Sequence, residues 1–241
     1  MSKILKDVSK SIFFRPAWYA IFTNPYFIAR RSLYKKIHGF SKEVANKKIL
    51  DLGCGNKPYS SLFTDSEYIG IDIDGGGHKG SAKNVDLVFD GKTIPFAGNS
   101  FDVILCTQVL EHTESPEKLI QEANRVLKKT GILYLTCPFV WPEHEIPYDF
   151  RRYTQYGLKK ILGENNFLVE KVSSTTGIFT TIGQIVSSFL FEFVGRNLIL
   201  RALMAVMVCF PVQLLSIVLD SLFRHQGIAL DYVVIARKYE I

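Results

Sequence analysis

Apolar and polar positions alternate differently in three stretches of the chain. Between residues 46 and 176, short apolar runs are separated by turn residues and amphipathic segments. The runs Lys48–Leu52, Tyr68–Ile73, Val85–Phe89, Phe101–Cys106 and Ile132–Thr136 have the length and β-branched character of buried strands. Between the last two, Leu119, Ile120, Ala123, Val126 and Leu127 recur at helical spacing, which predicts a helix over Pro116–Lys129. Ser115 is expected to cap it, Pro116 suits its first position, and Gly131 follows its end. Strand, helix and strand in this cadence predict an α/β fold of the Rossmann-like, doubly wound kind, with helices on both faces of a parallel sheet. No internal repeat or low-complexity tract interrupts the pattern.

The flanking stretches read differently. Residues 1–45 interleave aromatics such as Phe13, Trp18, Tyr26 and Tyr34 with Arg15, Arg30, Arg31 and Lys35, and Asn24-Pro25 divides them into two helical pieces. Residues 177–223 are nearly all apolar and are followed by a clear strand, Asp231–Arg237. The chain therefore divides into an aromatic, basic helical segment (1–45), a core (46–176), an apolar helical insertion (177–227) and a closing strand (228–241). Leu203–Leu219 approaches the length of a membrane span. Yet a single crossing would separate Asp231–Arg237 from the sheet containing Lys48–Leu52. A transmembrane hairpin would draw Glu192, Arg196 and Arg201 toward the bilayer, at about 2.5 to 3.5 kcal/mol for each charge at mid-depth. A helical pair lying in the interface is the expected solution, with a soluble lid as the competing one.

Composition sharpens this picture. With 241 residues, 47% hydrophobic and 22% charged, disorder and fibrous structure are excluded. Of the net charge of +6, residues 1–48 supply 11 basic and 2 acidic side chains, so the remainder is close to −3. A locally cationic, aromatic segment suggests an anionic lipid surface at least as strongly as a phosphate backbone, and no nucleic-acid partner is expected. Cys54, Cys106, Cys137 and Cys209 are scattered without a CxxC pair, so neither a disulfide framework nor a metal site is expected. Met1–Lys10, with three Lys and Asp7, does not read as a signal peptide. The expected location is cytoplasmic, peripheral on the inner membrane.

Ile49-Leu-Asp51-Leu-Gly53-Cys54-Gly55-Asn56 is a strand running into a glycine turn. Two glycines one apart allow a tight bend and close approach of a ligand to bare backbone. Pro58 stands where a dinucleotide fingerprint needs a third glycine, and no Gly-Lys-Ser/Thr follows, which disfavours phosphate binding. Asp51 before the turn suits an ammonium. Asp72 closes the next strand 19 residues after Gly53, where a carboxylate can accept both hydroxyls of a ribose. Asp90-Gly91 follows the third and could meet an adenine amine; Asp90 as the first residue of a turn is the plainer alternative. Successive acidic strand ends without a phosphate cradle call for a cationic nucleoside.

Asp51-Leu-Gly-Cys-Gly55, Gly70-Ile-Asp72, Asp90-Gly91 followed by Ile94-Pro-Phe96, Ser100-Phe-Asp-Val-Ile104 and Gln108-Val-Leu-Glu-His112 together resemble, in order and spacing, the class I S-adenosylmethionine-dependent methyltransferases of the type 11 group. The resemblance implies a seven-stranded sheet whose last strand, Asp231–Arg237, is antiparallel, and S-adenosylmethionine as cofactor. It implies that Asp51, Gly53, Cys54 and Gly55 border the methionine part, that Asp72 and Ile73 lie at the ribose, that Asp90 and Gly91 reach adenine, and that Gln108 and Val109 close the pocket. His112 reads equally as a packing and hydrogen-bonding residue.

Methyl transfer to oxygen needs a base near the acceptor. The loop after the fifth strand, Pro138–Thr154, is the richest source and loosely resembles the same loop in methyltransferases of surface-glycan and lipid-linked sugar pathways. His144 is expected as general base with Glu145 orienting it, and Asp149, Arg152 and Tyr153 as the acceptor site; a solvated loop braced by Asp149 and Arg152 is the alternative. His144-Glu145 is not HExxH, so no helical zinc motif is present. The expected activity is O-methylation of a saccharide or lipid-linked glycan, with a quinone or lipid C- or O-methyltransferase, or a non-catalytic cofactor-binding subunit, as rivals.

Overall fold

The computed structural model describes residues 13–75, 84–223 and 227–239. Parts of the expected segments that fall on residues 1–12, 76–83, 224–226 and 240–241 lie outside the described residues. In chain order, a 3-10 turn at Trp18–Phe22 precedes α1 (Phe27–Ser41), β1 (Lys48–Leu52), β2 (Glu67–Ile73), β3 (Leu87–Phe89), β4 (Phe101–Thr107) and α2 (Pro116–Val126). There follow β5 (Leu127–Pro138), α3 (Gln155–Gly163), β6 (Phe167–Ser174) and α4 (Ile178–Phe193). A long helix α5 (Leu198–Leu222) leads to β7 (Asp231–Lys238). Two compact units result, one of His38–Ser173 with Asp231–Ile241, the other of Met1–Ile37 with Ser174–Leu230.

The first unit holds a seven-stranded sheet of order β3-β2-β1-β4-β5-β7-β6. β1 pairs in parallel with β2 and β4, β4 with β5, and β7 lies antiparallel to β5 from Pro138↔Asp231 to Ile132↔Arg237. The central strands are apolar on both faces because helices cover both, and Ile49, Leu50, Ile104, Leu105 and Val234 are inaccessible to solvent or nearly so. α2 buries Leu119, Ile120, Ala123 and Val126. The order reverses between β1 and β4, and the carboxyl ends of those strands are where an open sheet of this kind offers a crevice.

Two local expectations need correction. Ser115 makes no side-chain cap; its carbonyl accepts from Leu119 N instead. The helix after it ends at Val126 rather than Lys129, because Leu127 is extended (ψ 139°) and pairs with Phe101. Thr130, at φ 60°, turns the chain into the rest of β5, and a side chain on Gly131 would collide with the Lys128 carbonyl at 2.9 Å. β3 is shorter than expected, since Asp86 turns its carboxylate to Gly70 N and Lys57.

The second unit is built the other way round. α4 packs along the C-terminal half of α5, and the buried residues there are polar or small: Thr181, Gln184, Ser187, Cys209, Gln213 and Ser216. A Cβ on Gly183 would sit 2.5 Å from Ser216 Oγ, so the helices approach nearly to backbone contact. Phe189, Phe193, Leu198, Ile199, Leu203 and Met207 are each more than half exposed. The buried glutamines complete the start of α1: Gln184 Oε1 accepts from Ala29 N and Gln213 Oε1 from Ile28 N, while their amides donate to the Pro25 and Asn24 carbonyls. They thereby satisfy orphan donors of a helix start. Asp220 does the same for α4, accepting from Phe179 N and Thr180 N. A π turn at Ala205–Cys209 precedes Pro211, whose missing N–H and ring bulk disturb the helical ladder there.

Candidate functional site

The turn after β1 needs both of its glycines. Gly53 (φ 72°) and Gly55 (φ 53°) occupy the left-handed region, and a Cβ on Gly53 would lie 2.4 Å from Val109 Cγ2. Val109 thus closes on bare backbone. Gly53 N and Cys54 N both donate to the Ile71 carbonyl, which ties the turn to β2. From β2, Asp72 Oδ2 accepts from Gly55 N at 2.7 Å and Oδ1 from Ile73 N at 2.7 Å. Asp72 therefore shapes the turn as well as presenting a carboxylate beside it.

Asp51 is almost fully buried. Its Oδ2 accepts a hydrogen bond from the Tyr68 hydroxyl, and its Oδ1 is buried without a partner. Burial, opposed by the Tyr68 hydrogen bond and reinforced by nearby Asp72, pushes its carboxyl up to about 7. A buried orphan acceptor of this kind is costly and fits the ammonium of a bound amino-acid moiety. Tyr68 was not singled out in the sequence; a strand tyrosine one residue from the surface gives no pattern that marks it. Cys54 is buried, and burial raises its thiol to about 12, so it packs rather than reacts. Burial likewise raises the thiols of Cys106 and Cys137.

Asp90 is exposed, and its Oδ1 accepts from Lys92 N and Thr93 N at 2.8 Å each; the Thr93 bond leads in holding its carboxyl below the usual range. The structure thus puts Asp90 in the turn-forming role, with Gly91 (φ 74°) beside it. Gln108 directly follows β4 at φ 57°, its backbone N bonded to the Thr136 carbonyl and its amide to Thr136 Oγ1. That unfavourable backbone for a non-glycine residue is held by β5 on its neighbouring edge.

The 3-10 turn Leu110–His112 directly after Val109 brings a second group together with the loop after β5. Glu111 is wholly inaccessible, and burial raises its carboxyl to about 8. His112 Nδ1 lies 2.8 Å from the Tyr148 carbonyl, and its ring meets that of His144 edge-on at 4.7 Å between centroids. Burial lowers the basicity of His144, against the opposing pull of Asp149. The carboxylate beside the His144 ring is Asp149, at 3.1 Å from Nδ1, which also accepts from His144 N. Glu145 (φ 54°) turns the chain at that point, its carbonyl accepting from Tyr148 N. Asp149 is held by a two-pronged contact with Arg152 (2.6 and 2.7 Å), whose guanidinium also reaches the Trp141 carbonyl. That hydrogen-bonded guanidinium is the main reason the Asp149 carboxyl lies well below its usual range. Asp149 and Arg152 therefore brace this loop around His144. Tyr153 is half-buried with its hydroxyl unpartnered, and burial raises that hydroxyl to about 12. Glu111 stands inside the Gln108–His112 motif, but only the fold reveals that its carboxylate points inward.

Residues 50–135 match the family model described as a methyltransferase domain. The chain is 28% identical over 132 residues to human thiol S-methyltransferase TMT1B, covering 49% of this chain and 52% of that protein. It is 30% identical over 105 residues to a malonyl-[acyl-carrier protein] O-methyltransferase of Legionella pneumophila, covering 39% and 37%. The chain thus spans about half or less of the length of these curated relatives. Among solved structures, the [4+2]-cyclase SpnF superimposes with a TM-score of 0.56 at 19% identity, over 85% of this chain and 81% of that one. At that identity the likeness shows the fold alone. The sheet order, the glycine turn and the orphaned Asp51 oxygen agree with the matched segment: the sheet unit carries, over residues 50–135, a domain similar to S-adenosylmethionine-dependent methyltransferases.

Proposed function

We propose that this chain transfers the methyl group of S-adenosylmethionine to an oxygen of a saccharide or lipid-linked glycan at a membrane surface. The observation that carries the methyl-transfer reading is the unpartnered Oδ1 of Asp51, buried beside a turn that only glycine can make. The cofactor, when bound, supplies an electrophilic methyl on a sulfonium, so the protein's work is positioning. Asp51 receives the ammonium, Asp72 with Ile73 takes the ribose side, Asp90 with Gly91 borders the base, and Gln108 with Val109 closes over the turn. Proton removal from the acceptor falls to the cluster of Glu111, His112 and His144, with Asp149 and Arg152 setting the orientation of His144. Its lowered basicity keeps the imidazole neutral near pH 7, as a proton acceptor must be.

The membrane part of the reading is supported by the second unit. α5 is 25 residues long, and its most apolar 18-residue stretch has a mean hydropathy of 2.4 with 22% of it buried; small and polar residues pack inside and large apolar ones face out, as in helices solvated by lipid. A cleft of about 600 Å³ in this unit is lined by Trp18, Arg31, Lys35 and Lys36 among others, a composition suited to an anionic head group. The apolar helical pair lying in the interface keeps Glu192, Arg196 and Arg201 at head-group depth.

Two measurements test the proposal. Calorimetric titration with S-adenosylmethionine should give saturable binding that Asp51→Ala abolishes; no heat and no thermal-shift response would refute the cofactor assignment. Membrane extract supplied with radiolabelled cofactor should yield a labelled product whose mass is that of a methylated glycan lipid. A labelled quinone or a labelled thiol would instead move the acceptor class, and binding without transfer to any acceptor would favour a non-catalytic subunit.

A further inference from the structure

Glu111, His112 and His144 each offer one donor atom, and these three atoms lie within 4.8 Å of one another. We infer that they form a site for one divalent transition-metal ion, with Zn²⁺ the best match to two imidazoles and one carboxylate. The site exists independently of the methyl-transfer reading; its role in activating an acceptor hydroxyl rests on that reading.

Independent observations point to a ligand. Glu111 has no accessible surface, its Oε2 faces Cys137 Sγ at 3.7 Å, and its Oε1 has no hydrogen-bond partner. The group Oε1 approaches is His112 Nε2 at 3.9 Å, too far for a hydrogen bond. An unsatisfied carboxylate oxygen in the interior is expensive, and a cation between these atoms would satisfy it. The orientation of His112 agrees. A carbonyl can only accept, so the 2.8 Å contact with Tyr148 O places the proton on Nδ1. In the neutral ring the lone pair is then on Nε2, the atom turned toward Glu111.

His144 has a comparable support. Its Nδ1 is 3.1 Å from Asp149 Oδ2 but without hydrogen-bond alignment, and it too is buried and unpartnered. Metal-bound histidines are commonly steadied through the second ring nitrogen by a carbonyl or carboxylate; the Tyr148 carbonyl occupies that position for His112. The charge of Arg152 close by is offset by its two-pronged bond to Asp149. Two ligands on a tetrahedral ion stand about 3.3 Å apart, so an ion would draw Glu111 and His112 together by less than 1 Å. Three protein ligands leave a position open for an acceptor oxygen, whose proton the ion would make easier to lose. His144 would then act as a ligand rather than as the base itself.

The test uses the full chain without an affinity tag, stripped with EDTA and dialysed. Titration with Co²⁺, followed by visible d–d absorption, and with Zn²⁺, followed by calorimetry, should show one equivalent bound at micromolar or lower Kd. Glu111→Gln, His112→Gln and His144→Gln should each weaken binding tenfold or more, while His38→Gln should leave it unchanged. Should Glu111→Gln fail to fold by circular dichroism, His144→Gln, on a loop, decides. Absence of saturable binding, or binding indifferent to all three substitutions, overturns the site. The cofactor titration is run without metal, so failure here and failure of the methyltransferase reading remain distinguishable.

Discussion

The two units of this chain solve the burial problem with opposite polarity. In the sheet unit, Ile49, Leu50, Ile104 and Leu105 are hidden, and among its buried polar groups Asp51, Asp72 and Glu111 lie at or just beyond strand ends. In the helical unit, Gln184, Gln213, Ser187 and Thr181 are hidden while Phe193, Leu198, Ile199 and Met207 face outward. A sheet covered by helices on both faces buries apolar surface because water is its solvent. A helix pair that hides its hydrogen-bonding groups and displays its hydrocarbon is the arrangement that the proposed membrane contact requires. The same residue types therefore predict different consequences in the two units.

The strongest way to break the contrast is to charge the outward face. Leu203, Met207 and Leu214 are 54, 69 and 44% exposed, so changing all three to Glu should leave the fold intact in solution. If this face enters lipid, the loss of three apolar contacts at roughly 1.5 to 3 kcal/mol each should weaken binding to phosphatidylglycerol vesicles by more than about 100-fold, read by sedimentation. Equal sedimentation of the triple variant and the parent would reduce the face to an exposed surface with another purpose.

Single truncations sharpen the same point at smaller magnitude. Ile104→Ala, in the middle of β4 between Leu50 and Leu133, should cost about 2 to 5 kcal/mol in chemical denaturation. Met207→Ala should cost no more than about 0.5 kcal/mol there. A comparable loss at Met207 would mean that its side chain packs against protein.

What the sequence made legible follows this division. β1 and β4 announce themselves as apolar runs because both faces are covered, and the glycine turn is readable because Gly53 has no room for a Cβ against Val109. The C-terminal end of α2 is not legible, because Lys128 and Lys129 continue a helical pattern while the pairing of Leu127 with Phe101 overrides it. The sixth strand, Phe167–Ser174, went unnamed: its partly exposed residues lack the continuous apolar run of the central strands. The Asp149–Arg152 brace is legible as one of two readings of the loop after β5, whereas the role of Glu111 is opaque for a different reason. It depends on side chains brought together from the turn after β4 and from the loop after β5, separated by more than thirty residues. The inversion of the helical unit was equally invisible, since an apolar composition does not say which face is inside.

Gln184 tests whether the polar interior of the helical unit is structural. Its amide bridges the Pro25 carbonyl and Ala29 N, so Gln184→Leu conserves much of the volume while leaving a buried donor and a buried acceptor unsatisfied. A loss of about 1 to 3 kcal/mol is expected, detected as slower protection or faster exchange of the amides at the start of α1. In a conventional apolar core the same substitution would be neutral or stabilising, and that result would remove the distinction between the units.

The mildest effect belongs to the sheet unit and turns on Asp51. Its carboxyl ordinarily titrates near 3.8 and is pushed to about 7, chiefly by burial. Because the folded-state value is raised, the protonated form is favoured by folding: this contribution is complete below the unfolded value, and is lost as pH rises through about 7. The free protein should therefore show a small decline in Tm between pH 6 and pH 8 that Asp51→Asn flattens. Cofactor binding should run the opposite way, since an ammonium prefers the ionised carboxylate. Between pH 6 and 7.5 the ionised fraction rises roughly eightfold, and the Kd for S-adenosylmethionine should tighten by up to that factor in the parent but not in Asp51→Asn. A pH-independent Kd in the parent would mean that Asp51 serves Tyr68 and the turn rather than the ligand, and would remove from the sheet unit the buried charge that most clearly sets it apart from the helical unit.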